Sequence, residues 1–340
     1  MRYAPLGRTG VRISRFSLGA GFFGTRIDPA ASALILDRAL ELGINVVDTA
    51  ESYLRPEPTA SETVLGPLLA GRRAEVFLAT KVGPNRRWLP STADQGLSRR
   101  VVCQAVEGSL RRLQTDHVDL LYAHFPDATT PLEETLAAFD DLIRAGKVRY
   151  TGLSNHSASQ VVEALWTAER RNLRPIVATQ DLYNLFERAN EWDLYPTCVR
   201  HGLGVFAYSP LAGGLLTGKY TAAMARDPAT LPPETRAATY GRFSDDSAPA
   251  RASPRLTERT LAAAALVTDW ARARGHTSAN VALAWVAAEP AVTSVLLGVT
   301  TMAQLEANIP AFELDLSPAD RAELNGLIPR DLVNKVAPMW

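Results

Sequence analysis

Several short apolar runs in this chain end on a side chain that can carry a charge or move a proton. INVVD closes on Asp48, FLATK on Lys81 and DLLYAH on His124, while TGLSN closes on Ser154 and Asn155, and two later runs close on Gln180 and on Tyr208 with Ser209. A charged group set straight after four or five apolar residues is buried at its base, which is costly unless the group is paired or put to use. Asp48 and Lys81 have opposite charges and could pair. Tyr53 lies five residues beyond Asp48 in DTAESY, within reach of the same run end if the intervening loop folds back. Each residue alone has an ordinary explanation: an Asp after a strand commonly caps a helix, a His is commonly a satisfied core residue, and Tyr53 could pack on a rim. Their joint occurrence at the ends of successive strands points to chemistry instead.

The elements that position them alternate. After a hairpin (Tyr3 to Leu6, a turn at GRTG, Val11 to Ile13), strands are expected at Phe16–Gly19, Ile44–Asp48, Val76–Lys81, Val118–His124, Val148–Ser154, Val177–Gln180, Gly204–Tyr208 and Val292–Gly298. Helical periods fall near 29–43, 59–70, 98–113, 131–145, 158–171, 192–201, 257–275 and 278–288. Asp28-Pro29 and Thr130-Pro131 read as N-cap then first helical residue, and Gly43 and Gly146 stand where C′ glycines belong. Eight strand–helix units in 340 residues suit one closed α/β barrel, a (β/α)8 or TIM barrel with an N-terminal β-hairpin, spanning 1–340 as a single domain. In such a barrel the site forms at the carboxyl ends of the strands, where the residues above cluster. Segment 221–256 has no sustained period and is expected to be a long mobile loop over that end.

The motifs carry a resemblance. D-T-A-x-x-Y at 48–53, A-T-K at 79–81, L-L-Y-x-H at 120–124, G-x-S-N at 152–155, Y-S-P-L-A at 208–212 and G-K-Y at 218–220 occur in this order. The chain resembles the aldo-keto reductase superfamily from LGRTG to QLEANI. That resemblance implies a catalytic tetrad of Asp48, Tyr53, Lys81 and His124, and an NADPH cofactor with NADH as second candidate. It further implies a carbonyl reduction in which Tyr53 gives the proton, Lys81 lowers the phenol pKa toward the phenolate, Asp48 anchors Lys81, and His124 orients the carbonyl by hydrogen bonding. Ser154, Asn155 and Gln180 match positions that hold the nicotinamide carboxamide, and Tyr208 the aromatic on which its ring stacks. Ser209, Pro210, Leu211, Gly213 and Lys219 match a loop over the pyrophosphate, and Gly298, Thr300, Thr301, Gln304 and Asn308 the adenosine-phosphate site. Gly21 and Phe22 would line the pocket beside the nicotinamide.

Two departures stand out. The segment GVTTMAQ at 298–304 has no Lys or Arg where many NADPH-specific relatives carry one, so 2′-phosphate recognition rests on Lys219, Arg242 and the two threonines. Tyr53 is followed by LRPEPTASE, where many relatives read G-x-G-x-S-E, so substrates do not transfer and aldehydes, cyclic ketones and keto-sugars all remain candidates.

Rival readings exist. Gly19-Ala20-Gly21-Phe22-Phe23-Gly24 is a literal G-x-G-x-x-G after a strand, with Asp48 at the distance of a ribose-binding acid in a Rossmann fold. Thr25-Arg26-Ile27 nevertheless separates it from the helix start at Asp28-Pro29, and Lys81, His124 and Ser154-Asn155 go unexplained. A barrel that binds NADPH as a redox-sensing or scaffolding subunit is the non-enzymatic alternative. Lys and Arg total 36 against 36 Asp and Glu, giving no reason to expect a nucleic acid or an acidic membrane surface. The expected partner is a small carbonyl compound, with the oligomeric state left open. Cys103 and Cys198 fit a reduced cytoplasmic protein, no apolar stretch predicts a membrane span, and the scattered histidines 117, 124, 156, 201 and 276 predict no metal site.

Overall fold

The computed structural model describes residues 1–53, 57–83, 96–227, 230–232 and 256–334. Its first two strands, β1 (Tyr3–Pro5) and β2 (Arg12–Ser14), pair antiparallel with Ala4 opposite Ile13. Eight parallel strands then close a barrel: β3 (Phe16–Gly19), β4 (Val46–Asp48), β5 (Phe77–Val82), β6 (Val118–Ala123), β7 (Val148–Ser154), β8 (Ala178–Leu182), β9 (Gly204–Tyr208) and β10 (Ser294–Leu297), which returns to β3. The TIM barrel with its hairpin is therefore the fold, and the Rossmann reading of the glycine triplet falls. Between Gly24 and Pro29 the chain makes a turn in which the amides of Thr25, Arg26 and Ile27 all approach the Phe22 carbonyl.

Strand alternation explains the site. Side chains of a strand point to opposite faces with period two. Val46, Ala79, Leu120, Tyr122, Ala178, Phe206 and Leu296 form an inner cluster that also takes in Leu6 and Ile13 of the hairpin. Val47, Leu78, Leu121, Val205 and Val295 belong instead to the large cluster shared with the surrounding helices. Continuing the inner parity by one or two steps gives Asp48, Lys81, His124, Gln180, Tyr208 and Gly298. Apolar residues fill the barrel's lower part, the hairpin packs against them, and the polar residues follow at the carboxyl end.

Local signals set the helix ends. Asp28 accepts from Ala31 N at 2.9 Å, with Pro29 the first residue of the helix Pro29–Glu41. Gly43 and Gly146 take φ of 81° and 74° directly after the helix caps, a conformation that costs a glycine little. The fourth barrel helix, Leu132–Arg144, starts one residue later than expected: Pro131 occupies the cap and Thr130 donates its hydroxyl to Asp127 at 2.6 Å. Strand β8 also runs on past Gln180, taking Asp181 and Leu182 into the ladder opposite Ala207 and Tyr208. Within 221–256, Ala222–Arg226 is a short helix capped by Thr221 and not loop, while Arg242 and most of that segment lie outside the described residues. A further helix, Pro318–Leu327, has a Ser317/Asp320 capping box, a local signal legible in SPAD. Among the described residues no helix is long and apolar enough to cross a membrane.

Candidate active site

Three of the expected residues meet at the mouth of the barrel. Lys81 donates to Asp48 Oδ1, to the Thr49 carbonyl at 2.9 Å and to the Tyr53 hydroxyl at 2.8 Å. Tyr53 in turn donates to Asp48 Oδ1 at 3.2 Å. Asp48 and Lys81 are each 2% exposed, so neither charge is left to water and each answers the other. The loop carrying Tyr53 is pinned by the motif residues around it: Thr49 and Ser61 share a hydroxyl contact of 2.7 Å, and Ser61 donates to the Ala20 carbonyl at 2.8 Å. His124 stands edge-on to the Tyr53 ring at a centroid distance of 6.1 Å and stacks on Phe125.

Electrostatics correct one expectation. Burial pushes the Tyr53 phenol well above its ordinary range, and the charge and hydrogen bond of Asp48 push the same way. The expected lowering by Lys81 is not what dominates, because burial, and after it the carboxylate touching the phenol, favours the neutral form. Burial lowers the Lys81 ammonium and Asp48 opposes that fall. His124 is held well below its usual value by burial and then by the Lys81 charge, so its ring is neutral at physiological pH. The buried Nδ1 of His124 has no hydrogen-bond partner among the described residues.

A polar platform adjoins this trio. Ser154 Oγ donates to the Gln180 carbonyl at 2.8 Å and accepts from Asn155 Nδ2 at 3.1 Å. Asn155, at φ 64°, also donates to the His124 carbonyl at 2.9 Å and accepts from the Tyr208 hydroxyl at 2.8 Å. The Gln180 side-chain amide donates to Asp48 Oδ2 at 2.8 Å. Ser154, Asn155, Gln180 and Tyr208 are thus preset by one another, with the half-buried Tyr208 ring beside them. Gly21 leaves room next to the phenol: a Cβ there would lie 3.5 Å from the Tyr53 ring atoms. These features fit a flat ring bearing a carboxamide, the donor and acceptor set that a nicotinamide presents.

Farther out, Ser209, Pro210 and Leu211 lead from β9 into a 3-10 turn, Ala212–Thr217, with Gly213 and Gly214 in left-handed conformations. The Gly213 carbonyl accepts from the Tyr220 hydroxyl at 3.2 Å, and Lys219 lies against Gly214. On the other side, Thr301 caps the helix Met302–Asn308, accepting from Gln304 N at 3.2 Å. Gln304 Oε1 accepts from Thr300 N at 2.8 Å and from Thr300 Oγ1 at 3.1 Å. Asn308 is buried in that helix's last turn, and a methyl group at Gly298 would lie 3.9 Å from the Phe22 ring.

Some residues went unread in the sequence. Glu62, fully buried, accepts from Thr80 Oγ1 at 2.5 Å and from Arg112 Nε at 2.8 Å, bracing β5 behind Lys81. Its signal was present as the S-E pair closing the catalytic-Tyr loop motif. Glu51, between Asp48 and Tyr53, is pushed up to about 7 by burial and by Glu62. Asp181 is likewise raised to about 7 by burial.

Residues 15–329 match the model of the Aldo/keto reductase family. Similar proteins include an uncharacterized oxidoreductase, YrpG, of Bacillus subtilis (strain 168), 37% identical over 97% of this chain and 96% of its own. A probable voltage-gated potassium channel subunit beta of Arabidopsis thaliana is 34% identical over 92% of each chain. The L-glyceraldehyde 3-phosphate reductase of Escherichia coli (strain K12) is 32% identical over 96% of this chain and 92% of its own.

Proposed function

The chain belongs to the aldo/keto reductase family, and from that membership we propose that it reduces an aldehyde or ketone to an alcohol with NADPH, Tyr53 supplying the proton. The observation that carries this reading is the Tyr53 hydroxyl held at 2.8 Å from Lys81 Nζ and 3.2 Å from Asp48. A reduced nicotinamide supplies the hydride when bound. Tyr53, kept neutral by burial and by Asp48, holds its proton until negative charge develops on a carbonyl oxygen beside it. Lys81, donating to the same phenol oxygen, steadies the charge left there as the proton departs. Asp48 keeps Lys81 in place and charged, and neutral His124 offers a ring N–H to orient the carbonyl. Ser154, Asn155 and Gln180 would take the carboxamide, with Tyr208 against the ring. Ser209, Pro210, Leu211, Gly213 and Lys219 would border the pyrophosphate, and the segment Gly298 to Asn308 the adenosine end. The whole chain would act as one barrel domain in the cytoplasm.

Loss of NADPH absorbance across a panel of aldehydes, cyclic ketones and keto-sugars tests the reading, with Tyr53→Phe as control. Turnover that needs the tyrosine is the expected result; equal turnover in the variant overturns it. A second reading rests on the potassium channel subunit among the relatives. A sensing or scaffolding subunit would bind the cofactor tightly and show no useful steady-state turnover on any carbonyl in that panel.

A further inference from the structure

Two neighbours in the first turn of the helix Ala60–Leu68 reach three strand ends at once. Ser61 meets the Ala20 carbonyl after β3 and the Thr49 hydroxyl after β4. Glu62, 0% exposed, accepts from Thr80 of β5, the residue directly before Lys81. Its other oxygen accepts from Arg112 of the helix Arg99–Leu113, a side chain 24% exposed, so the pair runs from behind Lys81 toward solvent. The two helices lie this close because residue 66 is glycine: a Cβ there would stand 2.1 Å from the Arg112 carbonyl oxygen. Bracing alone needs no charge, since an amide oxygen also accepts from a hydroxyl. A carboxylate fully withdrawn from water is costly unless it is paired or put to use. Arg112 pairs it from one side, and on another Glu51 stands near enough for the two carboxylates to oppose each other. The Glu62 charge also reaches the barrel mouth. Burial and then Asp48 keep the proton on the Tyr53 phenol, and Glu62 acts in the same direction. Burial draws the proton off Lys81, while Asp48 and after it Glu62 oppose that.

We propose that Glu62 is a positioning residue of the proton-transfer site: besides bracing β5 through Thr80, it stands as a buried anion behind the trio and holds the protons of Tyr53 and Lys81 in place. The inference rests on the proton-donor reading of Tyr53. The titratable groups around the phenol are Asp48 of β4, Lys81 of β5 and His124 of β6; those around Glu62 are Arg112 and Glu51. Charges separated by protein and not by water act on one another beyond contact distance. Arg112, at the solvent side of Glu62, offsets part of that field.

Alkaline difference spectra test it on Glu62→Gln and on Glu62→Gln with Arg112→Gln, each read against the same protein carrying Tyr53→Phe. Glu62→Gln keeps an acceptor for Thr80 and deletes the charge, so the Tyr53 phenolate should form at a pH lower by about half a unit or more than in the wild type. The double variant leaves no charge unpaired and should shift the same way by less. The phenol and the Lys81 ammonium are coupled, but loss of a nearby anion eases both proton losses, so the sign does not depend on which goes first. The alkaline limb of kcat for carbonyl reduction should move to lower pH with the phenolate. A titration and a limb both within about 0.2 unit of wild type in the two variants overturn the inference and leave Glu62 a brace alone, and a shift to higher pH overturns it as well. Should Glu62→Gln not fold, the double variant decides. A wild type that turns over no carbonyl overturns the proton-donor reading instead, and the phenolate titration still judges Glu62.

Discussion

Gln180 donates its side-chain amide to Asp48 Oδ2 at 2.8 Å across the mouth of the barrel, from the sixth barrel strand to the second. Asp48 therefore has its two oxygens on opposite duties, Oδ1 toward Lys81 and Tyr53 and Oδ2 toward Gln180. The same carboxylate ties the trio proposed for proton transfer to the platform proposed for the nicotinamide.

Asp48→Asn removes the charge at nearly constant size and sets an amide where Lys81 and Gln180 both donate. It should lower kcat while the ratio of NADPH to NADH affinity stays unchanged, because Asp48 bonds to Lys81, Tyr53 and Gln180 and to none of the residues proposed for the adenosine end. Removing one partner of a buried ion pair costs about 3–5 kcal/mol, so a denaturation curve belongs beside the kinetics. A folded variant with kcat preserved and cofactor preference shifted would contradict the role assigned to Asp48.

Tyr53→Phe keeps the ring against Gly21 and deletes the hydroxyl. The expected outcome is a kcat lower by roughly 10²-fold or more, with cofactor affinity nearly unchanged. Activity within about threefold of wild type would remove Tyr53 as the proton donor.

The strand ends were legible because burial forces a pattern that survives in one dimension. Val46, Ala79 and Leu120 mark an inner parity, and Asp48, Lys81 and His124 continue it, so polar residues closing apolar runs pointed to one rim. What stayed hidden depends on contacts between residues distant in sequence. Nothing local to Gln180 says that its amide meets Asp48, and the upward push on the Tyr53 phenol arises from burial and from a carboxylate on the same rim. Asp181 escapes a reading by pattern because Gln180, polar after an apolar run, looks like the end of strand β8. Pro131 displaced the expected Thr130 cap because Asp127 engages the threonine hydroxyl.

The raised phenol has its own test. In the free protein the Tyr53 phenolate should be missing from the alkaline difference spectrum, wild type minus Tyr53→Phe, until the pH passes the ordinary tyrosine value of about 10. A phenolate signal assigned to Tyr53 near neutral pH would show that Lys81 outweighs burial and Asp48.

Cofactor preference follows from charge count. NADPH should bind more tightly than NADH, by less than in relatives with a cation at the Gln304 position, since neutral contacts supply about half as much as charge-assisted ones. Gln304→Arg should widen the gap, at the cost of the Thr300 contacts that Gln304 now accepts. Equal affinities for the two cofactors in the wild type would refute the preference.

Asp181 should leave a signature in stability against pH. The carboxyl is raised to about 7 by burial, opposed by hydrogen bonds from Thr179 and the Asn155 amide. An unfolded Asp titrates near about 3.9. Between these values the folded state keeps a proton that the unfolded state has lost, so the contribution is fully present below the lower value and disappears as pH rises through about 7. The slope is about 1.4 kcal/mol per pH unit. Glu51, also raised to about 7, acts in the same direction, whereas His156, lowered to about 4 by burial, contributes stability that is lost as pH falls. The readout is therefore the difference between wild type and Asp181→Asn and not the wild-type curve alone. The variant keeps an acceptor oxygen and carries no titrating proton, so its urea midpoint relative to wild type should climb steadily from about pH 4 to about pH 7 and level off beyond. A difference that stays constant over that window would show that Asp181 is ionised in the folded protein throughout.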